Sequence, residues 1–393
     1  MLTGTAETGY FLLGLDPAGA AVTQSGAWPS SNIPALTAPV PVGMSLTFTG
    51  TTGVFKGAFS RAVVGSKSVS SAFAGVVLAN PLALSDATDP VRAAGFYTTG
   101  NNSLPVEIQD HAAPFPSPVL IRAGSFQMGN ALSASGDGDS NELPVHTVSV
   151  SAFYMDKYLV TKALWDDVRA WGLNNGYTDL DVGNGGYASK GANHPVHSIT
   201  WYAMVKWCNA RSQKEGLTPC YTVSGSVYMT TDNDGVVCNM SASGYRLPTE
   251  AEWEKAARGG LSVKRFPWAK NTISQSQANY HGDTYYSYDL GPDGYNPTYA
   301  VGNFPYTSPV GSFAANGYGL YDMAGNELEW CWDWYGDYGK GAVTDPTGPA
   351  SGSYRVMRGG YWYGSADRCR VSDRDYGIPN YSGNIIGFRC VRR

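Results

Sequence analysis

Two patterns of apolar and polar positions divide the chain. In TKALWDDVRAW (161–171) and SITWYAMVKWCNARSQKEG (198–216) apolar residues recur every three or four positions. That spacing puts them on one face of a helix, so two amphipathic helices are predicted. A third is predicted in LPTEAEWEKAARGG, where Thr249 and Glu252 form a capping box and the Gly259–Gly260 pair supplies the stop. Residues 1–112 read differently. Short runs (GYFLLG, SLTFTG, GVFKGAF, SAFAGVVLAN, AAGFYTTG, LPVEIQD) are separated by turn residues, which predicts a β-meander. HAAPFPSPV (111–119) is rich in proline and reads as a linker. The expected domains are therefore a small all-β domain over 1–112, read as an assembly or spacer domain, and a second domain over 113–393. From residue 261 onward the second domain is aromatic, Gly-rich and mostly without period, the texture of long functional loops.

Composition narrows the function. The chain has 393 residues, 43% of them hydrophobic, enough for a large core in two domains. Only 15% are charged, while 48 Gly and 23 Pro favour β-rich or irregular architecture. The net charge of −5 with no basic block excludes binding to nucleic acid through phosphate neutralisation. No apolar run reaches the roughly 18–20 residues of a membrane-spanning helix. MLTGTAETGYFLLG lacks the charged and apolar regions of a signal peptide. That fits either a cytoplasmic protein or an exported one whose signal is gone.

Seven segments carry a resemblance over roughly 118–393: IRAGSFQMGN, FYMDKYLVTKALW, HPVHSITWYAMVKWCN, GYRLPTEAEWEKAARGG, NGYGLYDMAGNELEW, RVMRGGYW and IGFRC. In this order they resemble the formylglycine-generating enzyme (sulfatase-modifying factor) family. The resemblance implies an α+β, C-type-lectin-like fold with a small central antiparallel sheet, two main helices and long irregular loops. It also implies two opposed functions. The founding enzyme is a copper oxidase whose metal sits on two cysteines after the RGG motif. Here Gly364 stands at the first of those positions and Cys369 aligns with the second, so copper is not expected. The oxidase, or another oxidative enzyme of the family, is the alternative reading.

The preferred reading is a non-enzymatic variable protein of a diversity-generating retroelement, a branch that shares this fold. From Tyr361 to the chain end there is no Lys, Glu, Gln or Met. Mutating the adenines of an AAC codon reaches Tyr, Asp, Ser, Gly, Ile and several others, but not Lys, Glu, Gln, Met or Trp. Within 361–386 the reachable positions are Tyr361, Tyr363, Gly364, Ser365, Asp367, Asp373, Asp375, Tyr376, Gly377, Ile378, Asn380, Tyr381, Ser382, Gly383, Asn384 and Ile385. These are the expected ligand-binding residues, with Trp362, Cys369, Arg370, Arg374 and Pro379 as scaffold. Tyr with Ser, Gly and Asn also makes a binding surface on physical grounds: broad amphipathic contact at low entropy cost, plus adaptable hydrogen bonds. The plainer account of the same stretch is a structured, tyrosine-rich loop. The reading expects Trp362, Cys369 and Phe388 to be buried, and Tyr361, Tyr363, Tyr376, Tyr381, Asp373 and Asn380 to share one exposed face. The expected partner is a protein or cell-surface ligand, and the expected setting is export or surface display.

The resemblance further implies two structural calcium sites. One uses Asn279 and Asp293 side chains with the carbonyls of Tyr280 and Tyr295. The other uses Asp322 and Glu329 side chains with the carbonyls of Gly325 and Glu327, oxygen sets suited to a hard cation. Those carboxylates could equally serve a turn and an element start. The resemblance pairs Cys208 with Cys390, and Cys220 with Cys238 is read as a local clip across a hairpin, buried free thiols being the other option. His194 and His197, flanking Pro195, read as loop histidines.

Overall fold

The structure is a computed structural model. It describes the strands between residues 9 and 110, together with 118–133, 138–186 and 191–393. The chain divides into two compact units at Ser117/Pro118. Most of the expected linker, 111–117, lies outside the described residues.

Each run expected to be a strand in the first unit is one. The unit holds β1 (Gly9–Leu15), β2 (Ala21–Ala27), β3 (Ala35–Leu36), β4 (Ser45–Thr49), β5 (Val54–Arg61), β6 (Val69–Val77), β7 (Val91–Thr99) and β8 (Asn102–Asp110). They form one sheet in the order β3-β2-β1-β8-β7-β6-β5-β4. Every neighbouring pair is antiparallel, so β4 to β8 is a plain meander and β1 joins it against β8.

The second unit is built around three helices and small sheets. The sheet elements begin with β9 (Val119–Ile121), β10 (Gly124–Met128), β11 (His146–Val150) and β12 (Phe153–Met155). Two helices follow, α1 (Lys162–Leu173) and α2 (Trp201–Lys214), capped by Thr161 and Thr200 hydroxyls that accept from the third helical N–H. A three-stranded hairpin comes next, β13 (Tyr221–Val223), β14 (Ser226–Val227) and β15 (Val237–Cys238). Then α3 (Glu250–Arg258) runs from the expected Thr249–Glu252 capping box to Gly259, whose φ of +57° suits a residue without Cβ. No helix or strand occurs from there to β16 (Leu328–Trp334), and the rest is β17 (Val343–Thr344), β18 (Arg355–Arg358), β19 (Asp375–Gly377), β20 (Ile386–Gly387) and β21 (Val391–Arg392).

The central sheet has the order β19-β18-β16-β20. It is not wholly antiparallel as expected, because β20 returns alongside β16 in parallel. A second difference is α2. Its spacing suggested an amphipathic helix, yet every residue from Trp201 to Ser212 is buried. Its two buried cations are paired: Lys206 with Asp179 (2.9 Å) and Asp232 (3.1 Å), Arg211 with Asp156 (2.6 Å). Trp165 of α1 stacks on Trp207 of α2 at 5.5 Å, and Phe388 meets both rings edge-on. This packing ties the last residues of the chain to the helices. No helix among the described residues is long and apolar enough to cross a membrane.

Candidate functional site

The stretch 361–386 leaves β18 through Gly359 and Gly360, at φ +105° and +73°. A Cβ at Gly360 would come within 2.9 Å of the Cys369 sulfur, so only glycine fits this turn. Trp362 then plunges inward. It is 3% exposed, and its indole N–H donates to the Asn384 carbonyl at 3.0 Å, closing the loop on itself. Pro379 and Gly383 carbonyls accept from Trp201 and Ser198 N–H groups at 3.0 Å each, which seats the far end at the start of α2.

Arginines fix the middle. Arg374 makes a two-point pair with Glu250 at the start of α3 (2.6 and 2.9 Å) and donates to Gly336 and Asn141 carbonyls. Arg370 reaches Glu142 at 2.7 Å. Arg358 joins Glu254 to the Asp373 carbonyl. All are buried, and each guanidinium finds a buried carboxylate, the condition for tolerating charge in a core. The described residues contain one group of three metal-ligating side chains, Asp139, Glu142 and Asp373. Arg370 supplies its counter-charge.

Between these clamps the chain faces outward. Tyr363, Tyr376, Ile378 and Tyr381 are about half exposed, and Asn380, Ser382 and Asn384 are exposed. Tyr361, Ser365, Asp367, Asp375, Gly377, Gly383 and Ile385 are half-buried. Trp362, Cys369, Arg370, Arg374, Pro379 and Phe388 are buried, as the scaffold reading expects. Two expected surface positions are corrected. Asp373 is 1% exposed and 3.4 Å from Arg370, because the turn that places Arg370 and Arg374 in the core takes their neighbour with them. Gly364 is buried too, with the Tyr361 ring where its side chain would be.

The exposed tyrosines of the stretch do not form one group: Tyr363 and Tyr376 belong to two separate sets of rings, and Tyr381 to neither. Tyr376 packs on Tyr335 (4.5 Å) and Tyr354 (5.1 Å). Tyr363 lies with Tyr295 (6.0 Å), beside Phe304 and Tyr306, which rest on Trp362 at 5.4 and 5.7 Å. The sequence reading missed Tyr335, Tyr354, Phe304 and Tyr306. Their signal was the aromatic content of 285–354, which carries no periodicity to mark a face.

Other candidates fall into place. Cys369 is fully buried among Phe266, Ile273 and Tyr280, and burial pushes its thiol well up. With Gly364 opposite, these residues offer no thiolate pair and do not fit copper. His197 bonds Ser198 and the Gly186 N–H, and burial pushes it down to about 4. His194 bonds Thr307 at 2.9 Å. Both behave as loop histidines. Cys208 and Cys390 are buried thiols with sulfurs 3.7 Å apart, while the Cys220 thiol donates to the Gly244 carbonyl and the Cys238 thiol to the Met240 sulfur.

The two calcium sets behave differently. At the second, Asp322 Oδ1 and both Glu327 carboxylate oxygens are buried without a partner. Burial pushes Asp322 up to about 6 and pushes Glu327 well up too, with Glu329 adding to it. Unpartnered carboxylate oxygens are the ligand type a hard cation takes. Glu329 is a correction, since Arg389 takes both of its oxygens at 2.7 Å. At the first set, Gln275 donates to the carbonyls of Tyr280 (3.5 Å) and Gly294 (2.6 Å). Asn279 turns its amide to the Tyr306 carbonyl, Asp293 is exposed and Tyr295 is half-buried.

An α+β unit with this sheet, these helices and a clamped loop beside the chain end defines a C-type-lectin-like fold. A family model for the sulfatase-modifying factor enzyme 1-like domain matches residues 105–393, and the chain belongs to that family. The chain is 33% identical over 299 residues to the formylglycine-generating enzyme of Thermomonospora curvata, covering 70% of this chain and 92% of that one. It is 33% identical over 291 residues to the chaperone protein LppX of Paenibacillus barcinonensis, covering 70% and 88%. Among solved structures it is similar to Treponema denticola variable protein 1, with a TM-score of 0.54 and 31% identity over 76% of this chain and 99% of that one.

Proposed function

We propose that this is a non-catalytic ligand-binding protein whose stretch 361–386 is a variable face, diversified by a retroelement and displayed at a cell or phage surface. The observation that carries the reading is the alternation in that stretch. Trp362, Arg370, Arg374 and Pro379 are buried and bonded, while Tyr363, Tyr376, Ile378, Asn380 and Tyr381 between them face solvent. Exposed aromatics in such density cost solubility unless they meet a partner. The ligand is a protein or cell-surface molecule. The similarity to Treponema denticola variable protein 1 supports the same reading.

The test is a display library in which the exposed positions vary over the residues an NNC codon encodes. Most members should fold and some should bind new targets; a library that is largely unfolded would sink the proposal. The competing reading is favoured by the kinship to formylglycine-generating enzymes. It is tested by incubating the protein with copper and a sulfatase-type Cys-x-Pro-x-Arg peptide. No aldehyde above the copper-only control is expected.

Calcium belongs to the proposal at the second set, held by Asp322, Glu327 and the Gly325 carbonyl. It would have no chemical step to perform and would pin a long loop. A chelator should lower the melting temperature, since a ligand of the folded state stabilises it by mass action. The Glu327→Gln chain should lose that response, and an unchanged melt in both would remove calcium.

A further inference from the structure

Beside the clamp of Arg374 and Glu250 lies a cavity of about 270 Å³. It is far larger than one water's share of about 30 Å³. The start of α3 and the end of β16 contribute its buried side, and exposed loop residues between 337 and 349 form its mouth. None of the positions expected to vary within 361–386 lines it, so its chemistry is independent of the variable-face reading.

Asp333 is the unusual lining group. It is 3% exposed, and its Oδ2 accepts from the Glu250 N–H at 3.0 Å. Among the described residues no donor reaches its Oδ1, and no lysine or arginine lies within ion-pair distance of it. Gly348 lines the same cavity, and a Cβ there would come 2.8 Å from the Asp333 Cβ and 3.2 Å from Oδ1. Glycine at that position keeps the space beside the free oxygen open. Glu250 also lines the cavity, but Arg374 takes both of its oxygens at 2.6 and 2.9 Å. Burial first, and then the Glu250 charge, push the Asp333 carboxyl well up, so its carboxylate lacks a close positive charge.

The other lining groups narrow what would supply that charge. His146 has Nδ1 3.0 Å from the Pro144 carbonyl, so Nδ1 carries the proton and Nε2 of the neutral ring is an acceptor. Asp337 adds an exposed carboxylate at the mouth, while Met128, Val343 and Pro349 are apolar. A guanidinium binds best through parallel bonds to both oxygens of one carboxylate, and here one oxygen is taken. An ammonium is satisfied by single acceptors, and its alkyl stem suits apolar walls.

We propose that this cavity binds a primary alkylammonium group, with Asp333 as its counter-charge and Met128, Val343 and Pro349 around the stem. Two sources carry that group: a free amine, or a lysine side chain of a polypeptide.

The full chain, in chelator so that no metal ion competes, is titrated with n-butylamine, n-butanol and butyrate, and with an end-capped Gly-Gly-Lys-Gly-Gly peptide and its norleucine counterpart. Ligand-observed NMR reads binding. The amine or the lysine peptide should bind with about millimolar affinity. Butanol, butyrate and the norleucine peptide should bind about tenfold more weakly or not at all. Tighter binding of the amine points to a free amine as the source, and tighter binding of the lysine peptide to a polypeptide; binding of neither overturns the proposal. Asp333→Asn keeps an acceptor for the Glu250 N–H but removes the charge, and should weaken binding about tenfold or more. Thr347→Trp fills the exposed mouth and should do the same, which decides the matter if Asp333→Asn does not fold. Asp166→Asn on α1 makes the same change in net charge and should leave binding unaltered. Equal binding of butylamine and butanol, equal loss in Asp166→Asn, or unchanged binding in Thr347→Trp or in folded Asp333→Asn would overturn the proposal.

Discussion

The seat beneath the variable stretch and the stretch itself are made of opposite materials. The seat is α3, β16 and β18, where Glu250, Glu252, Glu254 and Glu329 are each buried and each paired with an arginine. The stretch has exposed Tyr, Ile, Asn and Ser with few bonds beyond its own backbone. A surface meant to change needs a support indifferent to the change. Buried two-point ion pairs supply that indifference, because their geometry depends on each other and on the strands, and not on what faces solvent. The contrast makes a graded forecast: substitutions in the seat should unfold the protein, and substitutions on the face should not.

The largest effect belongs to Trp362, with Arg358 beside it in the seat. Trp362→Ala removes a buried indole and its bond to Asn384, a loss of ~3–5 kcal/mol for a large core truncation. Arg358→Ala takes the donor from Glu254 Oε2 and from the Asp373 carbonyl in the core while Arg258 still holds Oε1, a loss of about 1–3 kcal/mol for buried acceptors left unmet. Chemical denaturation measures both. A loss below about 1 kcal/mol at either residue would mean the seat is not what holds the loop.

Next is the thiol pair at the chain end. Cys208 and Cys390 are 182 residues apart in sequence and 3.7 Å apart in space. If the protein is exported, non-reducing peptide mapping should find them joined, and reduction should cost about 2–4 kcal/mol. Free thiols in protein never exposed to reductant would argue against surface display and leave the seat to noncovalent contacts alone.

A smaller effect sharpens the one place where the two materials mix. Asp373 has the alphabet of the face but lies in the seat, where burial pushes its carboxyl up to about 8 against the pull of Arg370. The folded state therefore holds its proton more tightly than the unfolded chain does. Stability from this group is present below the ordinary carboxylate range and is lost as pH rises through about 8. Glu142 and Glu250 have the opposite sign. Burial pushes them up, but Arg370 and Arg374 outweigh it, so their contribution is lost as pH falls through their depressed values. Melting temperature should carry a decline between the ordinary carboxylate range and about pH 8, and Asp373→Asn should flatten that slope while leaving the acid limb in place. An unchanged slope below about pH 8 in the variant would mean that the folded state does not hold the Asp373 proton.

What the sequence made legible follows the range of the interactions. The Thr249–Glu252 box and the Gly259 stop are local, and both stand as read. The meander of the first unit was legible because turn residues punctuate each strand. Arg374 with Glu250 is not local: the two are 124 residues apart, and nothing in either neighbourhood names the other. The burial of Asp373 was hidden for the same reason, since it follows from where Arg370 and Arg374 are held. Glu329 looked like a metal ligand until Arg389, 60 residues on, claimed it. The exposed tyrosines could be recognised from alphabet alone. The separation of Tyr363 from Tyr376 depended on Tyr335, Tyr354 and Phe304, which belong to loops without period.

The smallest effects should come from the face itself. Tyr381 is 45% exposed, and the described residues give its ring no aromatic partner. Tyr381→Ser should shift stability by no more than about 0.5 kcal/mol, the usual range for surface changes. Tyr363→Ser loses ring contacts with Trp362 (5.7 Å), Tyr295 (6.0 Å) and Tyr361 (6.5 Å), all wider than those of Tyr376, so a slightly larger loss is expected. Tyr376 sits between Tyr335 and Tyr354, and its ring pairs make Tyr376→Ser the costliest of the three, about 0.5–1.5 kcal/mol. The ranking Tyr376, Tyr363, Tyr381 can be read from three melting curves. Binding should follow no such order: joint replacement of all three should abolish capture of a ligand selected on the native face while the domain stays folded. If Tyr381→Ser alone unfolds the domain, the tyrosines are part of the seat, and the contrast between the two materials is lost.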